Sequence, residues 1–240
     1  MTTIRECPRL MALQDVEECL ILERLNKFAL RVKIGDQEYL AFLQNTGRLM
    51  DYVVHGRRGF CIPIGKPQKL SRRLFAISEG DLAAIVDTYI QSKAFEEAVS
   101  RDLIPWLRCY RILRKDVPIA GTKIDYLMTC ELKDVFVELK SAVLRLGYHA
   151  SYPDCPSSRA ARQVRELFKV VKHGTRAILV FIAAIPHVKD FKLNHEIDPT
   201  LCELIAKAHT VGLEVKGIQM VYKPTSSSII LLNPDLPIEI

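Results

Sequence analysis

None of the seven cysteines stands in a Cys-x-x-Cys pair. The sequence therefore suggests neither a zinc site nor a disulfide framework, and free or buried thiols in a reducing cytoplasm are the expectation. The six histidines are equally scattered, with no ligand spacing. No apolar run approaches the roughly 18 residues of a membrane span. The N-terminus also lacks the charged-then-apolar pattern of a secretory leader, so no membrane partner is expected. There is no internal repeat, no low-complexity tract and no glycine-rich phosphate cradle.

The rest has the composition of an ordinary globular protein. The chain has 240 residues, 49% of them hydrophobic and 26% charged. That length accommodates one large domain or two modest ones. A net charge of +6 permits nucleic acid as a partner without demanding it.

The first 18 residues read as a loose arm or a short helix over residues 11–18. Beyond them, Leu20, Leu22, Phe28, Leu30, Val32 and Ile34 keep a period near two, and Gly35-Asp36 signals a hairpin. Further strands are expected at residues 59–64 and 74–78. Short strands with glycine turns predict a small β-barrel of the oligonucleotide-binding type over residues 1–82. Its charge is lopsided. Between residues 20 and 75, Arg24, Lys27, Arg31, Lys33, Arg48, Arg57, Arg58, Lys66, Lys69, Arg72 and Arg73 face only Glu23, Asp36, Glu38 and Asp51. A nucleic-acid-binding face, with Phe28 or Tyr39 for base stacking, fits this pattern, and so does a solvated basic surface.

From Gly80 the periodicity changes. Residues 87–101 carry a helical apolar stripe. Strands follow at 109–114, 122–130 and 134–142, with a short arm at 144–148 and a Pro/Ser-rich loop at 151–158. Ser157 or Ser158 can cap a helix over 159–173, which Gly174 stops. Residues 177–185 are continuously apolar, as in a central buried strand. Asp198-Pro199 opens a helix over 201–211, and a last strand covers 213–222. This order predicts a second, α/β domain over residues 83–240.

The most informative stretch is Thr122–Ser141, TKIDYLMTCELKDVFVELKS. Two strands joined by a turn at 131–134 place Asp125 near Glu138. Glu138 and Lys140, two apart, share a face. Two acids meeting on one sheet face repel and are costly to desolvate. A divalent cation such as Mg²⁺ offsets that cost, because it accepts one or two carboxylates plus water and phosphate oxygens. A nearby lysine can orient an attacking water or stabilise charge on phosphorus. This is the Asp…Glu-x-Lys pattern of restriction-endonuclease-like nucleases. A surface ion-pair cluster is the competing reading.

Several motifs in fixed order resemble the sugar fermentation stimulation protein A (SfsA) family over nearly the whole chain. They are Arg24–Phe28, Ala41–Leu49, Ile124–Tyr126, Val137–Ser141, Tyr152–Asp154 with Ser158-Arg159, and Phe191–Asn194 followed by Asp198-Pro199. The resemblance implies an N-terminal oligonucleotide-binding-like barrel followed by a PD-(D/E)xK nuclease-like domain. It also implies DNA as partner and a suspected nuclease role using Mg²⁺ or Mn²⁺. The alternative is a non-catalytic DNA-binding regulator, and a homodimer is open. In these terms Asp125, Glu138 and Lys140 are the catalytic candidates, and Asp125, Glu138 and Asp154 the metal candidates. Arg24, Lys27, Arg48, Arg57, Arg58, Arg72, Arg73, Arg159, Arg162 and Gln163 are the nucleic-acid-binding candidates. Asp154 is also a natural turn former beside Pro153. Residues 45–48 read either as a backbone-contacting loop or as a barrel turn packed on the second domain. The chain departs from the family pattern at Lys123, where arginine is usual. It also reads Arg159-Ala160-Ala161-Arg162-Gln163 where Arg-Gly-x-x-His is usual.

Overall fold

The computed structural model describes residues 7–65 and 70–240. Lys66 and Lys69 of the basic run, and the first residues of the arm, lie outside them. The expected helix over 11–18 is absent. Strand β1 (Arg9–Ala12) instead pairs antiparallel with a C-terminal strand, and β2 (Glu17–Arg24) begins just after it. β3 (Ala29–Ile34), β4 (Gln37–Phe42), β5 (Arg58–Pro63) and β6 (Arg72–Glu79) complete the first unit. β2 pairs with β3, β3 with β4, β4 in parallel with β6, β6 with β5, and β5 with β2. The ring closes on five strands, so this barrel has no free edge. The alternation in β3 buries Leu30 and Val32 and exposes Arg31.

β6 turns into β7 (Leu82–Ile85), which touches the second unit's sheet through Ala83 opposite Tyr222. The Asp87 carboxylate then caps α1 (Thr88–Ser100) by accepting the Ile90 N–H at 3.0 Å. Next come β8 (Arg111–Ile119), β9 (Thr122–Cys130), β10 (Lys133–Ser141), β11 (Leu144–Leu146) and β12 (His149–Tyr152). α2 (Ser158–Lys172) is capped by Ser157, and Gly174 at φ 82° ends it in a conformation that disfavours other residues. β13 (Arg176–Ala183), β14 (Asp190–Leu193), α3 (Pro199–Thr210) with Asp198 as its cap, and β15 (Glu214–Lys223) follow. Two further strands, β16 (Ser228–Leu236) and β17 (Ile238–Glu239), lie beyond the strand expected to be last.

The core order is β15-β13-β10-β9-β8, with β13 parallel to both β15 and β10. β13 is buried along nearly its whole length, which its unbroken apolar run requires of a strand covered on both faces. A second sheet, β11-β12-β14-β17, packs alongside, with Phe181 stacked on Phe191 at 4.0 Å. β12 occupies part of the segment 151–158 read as a loop, and β14, four residues long, lies in a stretch to which the sequence pattern assigns no element. Among the described residues, no helix is long and apolar enough to cross a membrane.

The expectation of free thiols is corrected at one point. Cys109 and Cys130 form a disulfide, with Cα atoms 5.5 Å apart. The β8–β9 hairpin brings the start of one strand beside the end of the other, which no spacing rule in the sequence reveals. The bridge closes a loop across 21 positions. Its reduction, or Cys109→Ser with Cys130→Ser, is expected to cost about 3 kcal/mol by the loop-entropy relation. Urea melts with and without reductant measure this.

Candidate functional site at the interdomain cleft

The site is built by the β9–β10 hairpin. Cys130 pairs with Lys133, so the turn is the two residues Glu131 and Leu132, both at positive φ (49° and 65°) as such a tight hairpin turn requires. The register runs to Val137 opposite Tyr126. One position further, Glu138 faces Asp125, and the carboxylates take over the backbone's hydrogen bonds. The Asp125 N–H donates to Glu138 Oε2 at 3.1 Å, and the Leu139 N–H donates to Asp125 Oδ2 at 2.8 Å. Lys140 Nζ donates to Glu138 Oε1 at 2.5 Å and to Gln163 Oε1 at 2.8 Å. Gln163, on α2, donates in turn to the Lys123 carbonyl at 2.8 Å. The three sequence candidates Asp125, Glu138 and Lys140 are thus brought together, and Gln163 locks the lysine in place.

This cluster is nearly dry. Glu138 is 2% exposed, Lys140 8% and Gln163 1%. Burial drives the Glu138 carboxyl up from 4.5 to about 7 against the pull of Lys140, and Asp125 repels it further. Burial also raises Asp125, while the Leu139 N–H, Lys140 and Arg159 oppose the shift. Two acids that resist ionisation side by side form a site short of positive charge.

The donor set fits a hard divalent cation. Each carboxylate oxygen accepts at most one hydrogen bond here, which leaves lone pairs open on both acids. Among the described residues no third His, Cys, Asp or Glu joins the pair to complete a side-chain cage. That suits Mg²⁺ or Mn²⁺, which take remaining ligands from water or phosphate, and does not suit a closed zinc site. Asp154, the third metal candidate, is directed elsewhere: its Oδ2 accepts the Leu49 N–H at 3.2 Å and faces Gly47.

The acids lie at the floor of a cleft of about 380 Å³ between the two units. Its far wall is the barrel loop Gln44–Leu49 with Phe28, and its near wall is Tyr152–Ser157 with the first turn of α2. Residues 45–48 form a turn packed on the second unit, with Arg48 left exposed. Asn45 donates to the Val86 carbonyl and accepts the Gly47 N–H, each at 2.9 Å. A methyl at Gly47 would overlap the Asp154 carboxylate. Gly47→Ala should therefore break the Asp154–Leu49 bond and cost roughly 1–2 kcal/mol in denaturant melts. In an Asp154→Ala background the same change should cost less, since only the tight contact with the Asn45 side chain then remains.

Four of the predicted nucleic-acid-binding arginines are committed inside the protein. Arg24 donates to the carbonyls of Gly47 and Arg48, bracing the cleft loop, and burial lowers its pKa. Arg57 donates to the Asp51 and Ser78 carbonyls and lies over Tyr52. Arg72 pairs with Glu17 and stacks on Tyr39, which removes Tyr39 as a free stacking platform. Arg73 reaches Gln44 and the buried Asp87. The sequence shows an excess of cations but not which of them the fold has already used. Lys27, Arg48, Arg58, Arg159 and Arg162 are exposed. Gln163 is buried, and its role is to hold Lys140.

Two polar residues of the cleft were not anticipated. Gln91 is 1% exposed on the apolar stripe of α1 and donates to the Ile85 carbonyl at 2.7 Å. A glutamine at a buried helical position was the available signal. Ser141 lines the cleft with a buried hydroxyl that has no partner among the described residues.

A closed five-stranded barrel joined to an α/β sheet with this acid–acid–lysine hairpin defines an oligonucleotide-binding-type module fused to a restriction-endonuclease-like domain. Comparisons agree. Residues 22–86 match the SfsA N-terminal OB domain, and residues 89–226 match the sugar fermentation stimulation protein RE domain. The chain belongs to the sugar fermentation stimulation protein (SfsA) family. A homologue from Pyrococcus furiosus is 38% identical over 88% of this chain and 91% of its own length. One from Archaeoglobus fulgidus is 36% identical over 97% and 100%. The solved structure of Pyrococcus furiosus SfsA in complex with Ca²⁺ is similar at TM-score 0.93 and 36% identity, covering 97% of this chain and 100% of that one.

Proposed function

We propose that the protein binds nucleic acid, DNA foremost, and hydrolyses its phosphodiester bonds with Mg²⁺ or Mn²⁺. The observation that carries this is the convergence of Asp125, Glu138 and Lys140 at the floor of a cleft walled by an oligonucleotide-binding-type barrel. A relative of the same fold has been solved with Ca²⁺, another oxygen-seeking divalent cation. Held by Asp125 and Glu138, such a cation supplies Lewis-acid charge and acidifies water. Lys140 spends two of its three N–H donors on Glu138 and Gln163. The third is free for a phosphate oxygen or the attacking water, and its direction is set by those two partners. Arg159 lies close enough to act electrostatically on Asp125 and is placed to take the flanking phosphate.

Away from the floor, α2 carries Arg159, Arg162, Arg165, Lys169 and Lys172 exposed along one side, and of these only Lys169 has an ion-paired acid among the described residues, Glu166. At 1.5 Å per residue this stripe is roughly 20 Å long. It gives a phosphate backbone a path out of the site. Incubation of labelled DNA with Mg²⁺ or Mn²⁺ should yield cleavage that chelation stops; no cleavage with either metal refutes the catalytic reading. Arg162→Ala and Arg165→Ala should each reduce the slope of log affinity against log salt by about 1 in anisotropy titrations, irrespective of sequence.

A further inference from the structure

We infer that nucleic acid enters this cleft as a single strand, with one base stacked on Phe28. The inference rests on the nucleic-acid reading above and names the form of the substrate. The first argument is access. Glu138 and Lys140 are 2% and 8% exposed, so a scissile phosphate must descend between the two units to reach them. The opening of about 380 Å³ is lined by the barrel loop and by residues 152–157, which touch one another. Leu49 and Asp154 are hydrogen-bonded across it, and the contact at Gly47 leaves no room for even a methyl group. A volume of this size is that of a small-molecule site. It admits one unstacked nucleotide. A duplex keeps its nucleotides stacked and paired, so it would have to open before one of them could occupy this space.

The second argument is the chemistry of the rim. Phe28 is 48% exposed, although the barrel has ample core in which to bury an aromatic ring, and it lines the cleft mouth. Its backbone is set by its N–H bond to the Asn26 side chain and by its carbonyl, which accepts the Leu43 N–H at 2.9 Å. The ring is therefore presented from a fixed frame. Lys27 beside it and Arg48 on the neighbouring barrel loop are both exposed and both act electrostatically on Cys155 on the other unit. An aromatic face flanked by cations that track phosphates is the recognition chemistry of unpaired strands. Duplex DNA hides the faces of its bases and offers no partner for such a ring. Tyr39, the other stacking candidate, is covered by Arg72, which leaves this role to Phe28.

The test uses one labelled sequence in three forms: single strand, blunt duplex, and duplex with a single-stranded tail. Anisotropy without divalent cation reads binding, and gel analysis with Mg²⁺ or Mn²⁺ reads cleavage. The single strand and the tailed duplex are expected to bind at least tenfold tighter than the blunt duplex and to be cut. Phe28→Ala should weaken single-strand binding about tenfold, and Phe28→Tyr should restore it. Blunt duplex bound and cut as well as the single strand overturns the inference, as does single-strand binding indifferent to Phe28→Ala. Single-strand preference that depends on Phe28 but without any cleavage refutes the hydrolytic reading instead and leaves this site standing.

Discussion

Glu138→Gln is expected to lower metal-dependent cleavage by about a thousandfold while leaving the metal-free protein folded. The amide oxygen can accept from only one of the two donors that the carboxylate now serves, the Asp125 N–H or the Lys140 ammonium, so the fold keeps its packing but loses one of these bonds. What disappears is negative charge at a position 2% exposed. A divalent cation needs that charge. Without it, transition-state stabilisation worth several kcal/mol is lost, and each 1.36 kcal/mol is about tenfold in rate. In the absence of metal the same charge is a burden, because burial and Asp125 both oppose its ionisation. Cleavage rates and calorimetric melting on one preparation decide the matter. A variant that is inactive only because it is unfolded, or one that still cuts, contradicts the assignment.

The second expectation concerns pH. The Glu138 carboxyl titrates near 7 in the folded chain against 4.5 for the ordinary group. The folded state therefore takes up a proton before the unfolded state does. Stability contributed by this group should rise as pH falls from about 7, be fully gained below about 4.5, and be lost again as pH rises through 7. The span is on the order of 3 kcal/mol. Asp125 is raised by burial as well and adds in the same direction. Asp102, held low by its bond from Arg111, works with the opposite sign at more acid pH. Subtracting the profile of Glu138→Gln isolates the site from the histidines. Saturating Mg²⁺ or Mn²⁺ should reverse the trend in the parent, because the cation binds the ionised pair and is displaced by protons. A metal-free difference profile that is flat between pH 5 and 8 would show that Glu138 is not held in a dry, acid-rich environment.

The acid–lysine hairpin was readable in the residues because its geometry is local. A two-residue turn and a period of two place Asp125 opposite Glu138 and put Lys140 on the same face, whatever surrounds them. The capped helices were readable for the same reason. Ser157, Asp198 and Gly174 act within one turn of their own position. The misreadings all involve distant partners. β1 is a strand only because β16 lies beside it, and Cys109 meets Cys130 only because β8 folds back on β9. Asp154, read as a ligand, answers to Leu49, some hundred residues away.

The basic barrel shows the same division most plainly. The sequence alone determined that the first unit carries an excess of cations, that an acid pair and a lysine share a sheet face, and that barrel precedes α/β domain. It had no means of separating the arginines that brace loops, such as Arg24, Arg57, Arg72 and Arg73, from those left facing solvent, such as Arg48, Arg159 and Arg162. A guanidinium satisfies whichever carbonyls and carboxylates the fold brings near, and those come from remote segments. Only the tertiary structure decided which charges remain free, and only it set the acid pair at the bottom of a narrow cleft with a half-exposed phenylalanine at the mouth.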